Sequence, residues 1–387
     1  MIAQLKVELA ARAQAGLQRK RRLLQSPQTA HLLADGQQLL SFASNDYLGL
    51  ANHPNLIDAL QQGAKAAGVG GGASHLITGH HQFHHNAEQA LADFVGLPAA
   101  LLFSTGYMAN MGVVAALLGR HDAIFADKLN HASLNDAAVL ARAQCHRYPH
   151  QDLAQLAKML AASTAPRKLV IVDAVFSMDG DIAPVPELLA LCEQYDAYLL
   201  LDDAHGFGVL GKQGRGILNH FNVASPRIIY MATLGKAAGV AGAFVAGHPT
   251  IIEYLMQSAK TYIYTTASPP ALAAALVAAV DVMQTDVKRH QHLHDLITYF
   301  KQHLSLKKWQ LMPSDTAIQP IILGSNEAAL ALSEYLLTQG ILVPAIRPPT
   351  VPKNTARLRI SLSAAHSLDD VKLLISHLHQ AEQAMLA

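Results

Sequence analysis

A lysine, Lys236, stands where a hydrophobic run ends. Ile228-Ile229-Tyr230-Met231-Ala232 reads as a buried strand, Thr233-Leu234-Gly235 turns away from it, and small residues from Ala237 to Ala243 follow. An amine in so crowded a place can be desolvated, lose its proton and attack a carbonyl. A solvated lysine in a strand-to-loop turn is the plain alternative, and alone Lys236 favours it. The residues at other strand ends reverse that balance.

Tyr198 to Leu201 runs straight into Asp202-Asp203-Ala204-His205-Gly206. A carboxylate after a leucine run is costly to bury unless something cationic or protonated meets it. A protonated pyridine nitrogen is such a partner, and His205 would reach a phenolic oxygen on the same ring. Helix capping or a metal site is the alternative for the Asp pair. Phe103 leads into Ser104-Thr105-Gly106-Tyr107 and then a helix, which offers backbone N–H groups to a phosphate. Ala123 to Ala126 leads to His131, and Leu169 to Val172 leads through Asp173-Ala174-Val175-Phe176 to Ser177. A lysine for a Schiff base, an acid for a pyridinium, a phosphate cradle and imidazoles are what pyridoxal phosphate requires of a protein.

The elements that must position these groups follow from the hydrophobic pattern. Strands are expected near 99–103, 123–126, 169–172, 197–201, 227–232 and 242–246. Their apolar runs are continuous, so both faces are buried, and helical segments between them imply a mostly parallel sheet with helices on both faces. The last follows its predecessor too closely for a helical crossover, so antiparallel pairing is expected there. Residues 3–24 read as an amphipathic helical arm ending in the basic run Arg19-Lys20-Arg21-Arg22, and Leu39 to Ser44 as a short strand. A long alanine-rich helix follows Pro269-Pro270. Strands near 318–323, 341–343 and 356–361 then alternate with helices, as in a smaller α+β C-terminal domain. The expected division is an arm and short strand over 1–45, a large α/β domain over 46–285 and a small domain over 286–387.

The bulk properties narrow the function. With 387 residues, 51% of them hydrophobic, the chain can build a large core. Lys and Arg number 29 against 28 Asp and Glu, so nothing global argues for nucleic acid. Two cysteines give neither a disulfide framework nor a CxxC motif, which fits a reducing cytoplasm. The N-terminus carries no apolar signal region, and the longest apolar stretch, about Ala271 to Val280, is too short to span a bilayer. A soluble cytoplasmic enzyme without membrane contact is expected.

Three motifs are resisted. Gly206 to Gln213 approaches a P-loop but has Gln213 where the magnesium-binding hydroxyl belongs. Gly68 to Gly72 follows a helix pattern rather than a strand. His80, His81, His84 and His85 place pairs at i, i+4 on an expected helix, but no HExxH or cysteine accompanies them. A histidine-rich, surface-exposed helix start is the expectation, with no metal.

The assembled motifs resemble the α-oxoamine synthases among the fold-type I, aspartate aminotransferase-like pyridoxal-phosphate enzymes. The likeness runs from about Arg19 to the C-terminus. It is carried by Ser44-Asn45-Asp46-Tyr47-Leu48-Gly49-Leu50, Asn130-His131-Ala132-Ser133, Phe176 to Asp181, Asp202 to Gly206 and Thr233 to Lys236. Ala345 to Pro352 points to the branch that makes 8-amino-7-oxononanoate for biotin. Relatives that make 2-amino-3-oxobutyrate, 5-aminolevulinate or a sphingoid base share the earlier motifs and stay open, as does a non-catalytic protein of the same fold.

The resemblance implies a pyridoxal-phosphate-dependent acyltransferase that condenses L-alanine with a pimeloyl thioester of coenzyme A or of acyl carrier protein. It implies a homodimer with active sites at the interface. Lys236 resembles the Schiff-base lysine, Asp202 the pyridinium partner, His205 the partner of the phenolic oxygen and His131 the imidazole stacked on the ring. Ser177 lies near the ring oxygen. Gly106, Tyr107 and Thr233 match the phosphate site, and Thr265 or Thr266 reaches the neighbouring subunit's phosphate. Arg19, Arg347 and Thr350 match substrate positions, with Arg347 as the carboxylate fork and Asn45 assisting. This chain departs from the family at Ala237-Ala238, Asp173-Ala174 and His80-His81.

Overall fold

The computed structural model describes residues 1–384. A hairpin of β1 (His31–Ala34) and β2 (Gln37–Ser41) precedes seven strands: β3 (Ala99–Phe103), β4 (Ala123–Asp127), β5 (Gln144–Tyr148), β6 (Lys168–Asp173), β7 (Tyr198–Asp202), β8 (Ile228–Thr233) and β9 (Ala243–Gly247). These seven form one sheet in the order β3-β9-β8-β7-β6-β4-β5. Pairings β4 with β5, β4 with β6, β6 with β7 and β7 with β8 are parallel. Strand β9 runs antiparallel to both β3 and β8, as its short connection requires.

Alternation sorts the side chains of this sheet onto two faces. Val170 and Val172 of β6 and Leu199 and Leu201 of β7 pack into one core, which takes in Leu188 of helix Val185–Gln194 and Leu276 of helix Pro270–Thr285. Leu169, Ile171 and Leu200 face a second core with Val113 of helix Gly106–Leu117 and Leu134 of helix Ala132–Ala141. Each such fully buried aliphatic side chain contributes about 1.5–3 kcal/mol. Double burial explains the continuous apolar runs. Strand β5 escapes that rule: Gln144 to Arg147 are exposed at the sheet edge, and their polar pattern gives no strand signal.

The remaining strands are β10 (Gln310–Leu311), β11 (Ile318–Gly324), β12 (Ile341–Leu342), β13 (Ala345–Ile346) and β14 (Ala356–Ser361). Strands β10, β11, β14 and β13 form an antiparallel sheet. Strand β12 instead pairs in parallel with β2. Pro344, which has no N–H to donate, separates β12 from β13. The N-terminal helix covers Ile2–Gln14 and stops well before the basic run, because Gly16 adopts a left-handed φ of 65° and Leu17 N–H closes on Arg12 O at 2.8 Å. None of its residues is buried. Among the described residues no single helix is long and apolar enough to cross a membrane; helices Pro270–Thr285 and Val287–His303 meet that test only as a pair bent by 70°.

Candidate active site

The carboxyl ends of β3, β4, β6, β7 and β8 point to one edge of the sheet, and the polar turns that follow them meet there. They enclose a cavity of about 190 Å³ lined by Lys236, His131, Asp202, His205, Ser177, Thr233, Gly106 and Tyr107, together with Ser133 and Asp173. Adjacent Asp202 and Asp203 face opposite ways, as strand geometry demands. Asp203 turns into the core, where it accepts from Tyr230 Oη and Ile217 N–H, each at 2.8 Å. Asp202 faces the cavity, accepting from Asn110 Nδ2 at 2.8 Å and Ala204 N–H at 3.1 Å.

Lys236 Nζ lies 2.9 Å from His205 Nε2. Burial pushes the lysine down to about 8, although the Asp202 charge pulls the other way. His205 is held well below its ordinary value by burial and then by the charges of Lys236 and Arg359. The lysine therefore donates to a neutral imidazole, whose Nδ1 meets Tyr47 Oη at 2.6 Å. Burial also lowers His131, with the Asp202 charge opposing. The backbone N–H of His131 donates to Asp173, whose carboxyl is raised well above its ordinary value by burial and by the Asp202 charge.

The donors suit a phosphorylated pyridine aldehyde. Thr233 Oγ1 is buried and has no hydrogen-bond partner. A Cβ on Gly106 would come within 2.5 Å of the Thr233 methyl, so only glycine keeps this cradle open. Gly106 and Tyr107 begin helix Gly106–Leu117, where N–H groups have no acceptor within the helix, while Thr105 Oγ1 takes the N–H of Met108 at 3.1 Å.

The remaining expected residues lie elsewhere. Arg347 donates to Gly16 O, and with Arg19 and Thr350 it lines a separate cavity of about 650 Å³ under the N-terminal helix. An arginine does approach the strand-end cavity, through its lining residue Ser177: Arg359, 5% exposed, donates to Ser177 O, to Asn45 Oδ1 at 3.1 Å and to Tyr47 Oη at 3.2 Å. Asn45 thus joins the site through Arg359. Sequence reasoning missed Arg359, Tyr47 as a histidine partner, Asn110 and Ser133. A signal existed for the first: Arg357 and Arg359 share one face of an otherwise apolar strand, a period-2 charge pattern. Thr266 bridges Ser74 in an extended pairing, and neither it nor Thr265 lines the cavity.

The histidine-rich segment departs from its expected form. Helix Gln82–Val95 begins after His80 and His81, and His84 is fully buried rather than exposed. His75, His80 and His84 bring ring nitrogens within 4.8 Å of one another, and His80, His85 and Glu88 bring two ring nitrogens and a carboxylate oxygen equally close. Both nitrogens of His84 are already committed, Nδ1 to the N–H of His81 at 3.0 Å and Nε2 to Ser268 O at 2.9 Å. Glu88 accepts the N–H of Leu102 at 2.9 Å.

Among known proteins, the family described as aminotransferase class I and II matches residues 37–378. The chain is 62% identical to an 8-amino-7-oxononanoate synthase of Methylobacillus flagellatus, covering 98% of this chain and 96% of that one. It is 61% identical to the same enzyme of Nitrosospira multiformis, over 97% and 95% of the two chains. Among solved structures, a serine palmitoyltransferase of Sphingomonas wittichii superposes with a TM-score of 0.93 at 30% identity, covering 98% and 97%. An 8-amino-7-oxononanoate synthase of Francisella tularensis gives 0.79 at 31% identity, covering 90% and 99%.

Proposed function

The chain belongs to the class I and II aminotransferase family and, within it, to the 8-amino-7-oxononanoate synthases, which are pyridoxal-phosphate-dependent acyltransferases, and we propose from this that it condenses L-alanine with a pimeloyl thioester in biotin synthesis. The observation that carries the reading is Lys236 bonded to His205 within the influence of the Asp202 charge in the strand-end cavity, with its amine pushed down to about 8. Such an amine can attack an aldehyde and carry a proton near neutral pH.

Pyridoxal phosphate, when bound, would supply an aldehyde for an amine and a protonated ring that draws electrons from the bond being broken. Thr233 Oγ1 and the first N–H groups of helix Gly106–Leu117 would hold its phosphate, and Asp202 its ring nitrogen. His205, with Ser177 nearby, would meet its phenolic oxygen, and His131 would cover its face. We assign the alanine carboxylate to Arg359 with Asn45. This is supported by the burial of that guanidinium among Asn45, Tyr47 and Ser177, whereas Arg347 lies in another cavity. Lys236 takes the alanine Cα proton. A bond forms between Cα and the thioester carbonyl carbon, and the C–S bond breaks as the thiolate leaves and takes a proton from solvent. The Cα–carboxylate bond then breaks to release carbon dioxide, and Lys236 returns a proton to Cα.

The larger cavity, with Arg12, Arg19, Arg347 and Thr350, would take the thioester end of the second substrate; its cations suit phosphates of coenzyme A or of a carrier protein. We also propose a homodimer in which Thr265 or Thr266 reaches the partner's phosphate. Tyr264 and Ile77 beside them are 79% and 74% exposed, apolar surface that a second copy would cover. The free thiols Cys145 and Cys192 support a cytoplasmic location. The seven-stranded sheet within 46–285 and the four-stranded sheet within 286–387 support the proposed division into large and small domains.

The test is a substrate panel. Alanine, glycine and serine are combined with pimeloyl, acetyl and succinyl thioesters, and cofactor absorbance and carbon dioxide release are followed. Turnover confined to alanine with the pimeloyl thioester is expected. Preference for glycine with a short acyl group would instead assign the chain to a 2-amino-3-oxobutyrate or 5-aminolevulinate activity.

A further inference from the structure

We propose that Asn110 and Ser133 are positioning residues that lock His131 in the tautomer with its proton on Nε2, linking that imidazole to Asp202. The inference deepens the reading above, since it names the atom that His131 presents to the reacting groups.

The argument follows the direction of each hydrogen bond. Asn110 is fully buried on helix Gly106–Leu117, and Ser133 is 1% exposed on the first turn of helix Ala132–Ala141. Asn110 Nδ2 lies 2.8 Å from Asp202 Oδ2 and 2.9 Å from Ser133 Oγ. An ionised carboxylate accepts only, so the amide must turn its nitrogen toward Asp202. That orientation leaves Asn110 Oδ1 buried without a partner, which shows that Asp202, not the amide's own needs, sets it. Ser133 Oγ thus accepts a hydrogen bond from Asn110, and its own hydrogen is free for its other neighbour, His131 Nδ1, at 2.8 Å. The backbone N–H of Ser133 donates to the same Nδ1 at 3.2 Å, because His131 caps this helix. Two donors aimed at Nδ1 require a lone pair there, and a neutral imidazole then carries its proton on Nε2.

The chemical consequence is directional. His131 can donate from Nε2 to an oxygen in the cavity, such as the thioester carbonyl as it gains negative charge, but cannot act as a base through Nδ1 without displacing two donors. The charged and titratable groups around the ring are Asp202, Lys236, His205, Asp173 and Tyr107. Of these, Asp202 is tied to His131 through the two neutral side chains.

The experiment is NMR of the holoenzyme labelled with ¹³C and ¹⁵N at histidine, with the His131 signal identified by its absence in His131→Gln. The wild type is expected to show the Nε2–H tautomer. Ser133→Ala removes one donor to the lone pair, so the His131 pKa should rise by about half to one pH unit and the tautomers should mix. Ser133→Thr keeps the hydroxyl and should restore the wild-type value. Asn110→Ala frees the serine hydroxyl to rotate and should shift the pKa in the same direction by less. In turnover, the acid limb of kcat/KM should move upward with the Ser133→Ala pKa. An Nδ1–H tautomer in the wild type overturns the proposal even if Ser133→Ala does not fold, and so does a folded Ser133→Ala whose His131 pKa and tautomer stay unmoved. The NMR result does not depend on substrate, so failure of alanine and pimeloyl turnover would sink the proposed function and leave this assignment standing.

Discussion

Two histidine-rich regions of this molecule differ in what their nitrogens have left to do. In the cavity, His131 and His205 are lowered mainly by burial, and one ring nitrogen of His205 still meets the Lys236 amine. In the segment before and within helix Gln82–Val95, burial pushes His75 down to about 4 and lowers His80 and His84 as well. Both regions thus hold crowded, neutral imidazoles. The second consumes them in its own architecture. His84 bridges the N–H of His81 to Ser268 O, His81 Nδ1 caps Phe83 N–H at 3.2 Å, and His75 Nδ1 lies 3.0 Å from His80 Nδ1. Residue type and spacing mark both places equally. The difference lies in which lone pairs and protons remain after local hydrogen bonds are made.

The strongest way to break that contrast is to remove one nitrogen from each region. Lys236→Ala should lower kcat by roughly 10⁴-fold or more, because both the carbonyl-binding amine and the proton carrier are lost. His80→Gln should change kcat less than about threefold, in line with surface substitutions remote from chemistry. Steady-state rates for the two proteins decide it. Comparable losses would show that the second cluster belongs to catalysis.

The two arginine environments sharpen the contrast next. Arg359→Leu removes the buried guanidinium beside Asn45, and kcat/KM for alanine should fall by roughly 10²–10³-fold, the value of a desolvated charge-assisted pair. Arg347→Leu should leave the KM for alanine within a few-fold and act on the thioester instead. Initial rates with each substrate varied in turn distinguish the two. An alanine effect confined to Arg347 would return the carboxylate to the larger cavity.

That pair also shows how far the sequence could be read. Lys236, Asp202, His131 and Thr233 were legible because each follows an apolar strand, and strand ends of a parallel sheet converge on one edge. Arg359 was not, because it arrives from β14 of another sheet, and no local pattern says which distant strand end will approach the cavity. Arg347 was expected from the resemblance, as a guanidinium fork at a substrate position, and a match of residue type carries no information on which cavity the side chain lines. Strand β5 was invisible for a different reason. A doubly buried strand announces itself by a continuous apolar run, whereas Gln144 to Arg147 are exposed and answer only to their backbone pairing with β4. The helix start at Gln82 was misplaced because histidine can cap through Nδ1 in the manner of serine, so His81 ended the loop rather than extending the helix.

His84→Ala gives a smaller effect, on stability rather than rate. The ring is fully buried, and its removal leaves the N–H of His81 and the carbonyl of Ser268 without their partner. A loss of about 2–3 kcal/mol is expected from the cavity and the unsatisfied groups, measurable by urea denaturation. Loss of catalysis with unchanged stability would contradict a purely architectural role.

Lys236→Met should do the reverse, which separates the two regions by sign. The amine titrates at about 8 in the folded protein against an ordinary 10.5, with burial the main cause. Below pH 8 the ammonium is charged in both folded and unfolded chains, and the folded state carries the full cost of burying it. Between 8 and 10.5 the folded amine has lost its proton while the unfolded one keeps it, so the cost shrinks as pH rises; above 10.5 it is gone. In cofactor-free protein at pH 7, Lys236→Met should therefore gain about 1–3 kcal/mol of stability, with the gain fading toward pH 10.5. Denaturation of both proteins from pH 7 to 10.5 measures it. A destabilised Lys236→Met, or a gain that ignores pH, would mean that the buried amine is already compensated by Asp202 and that its pKa is not available for chemistry.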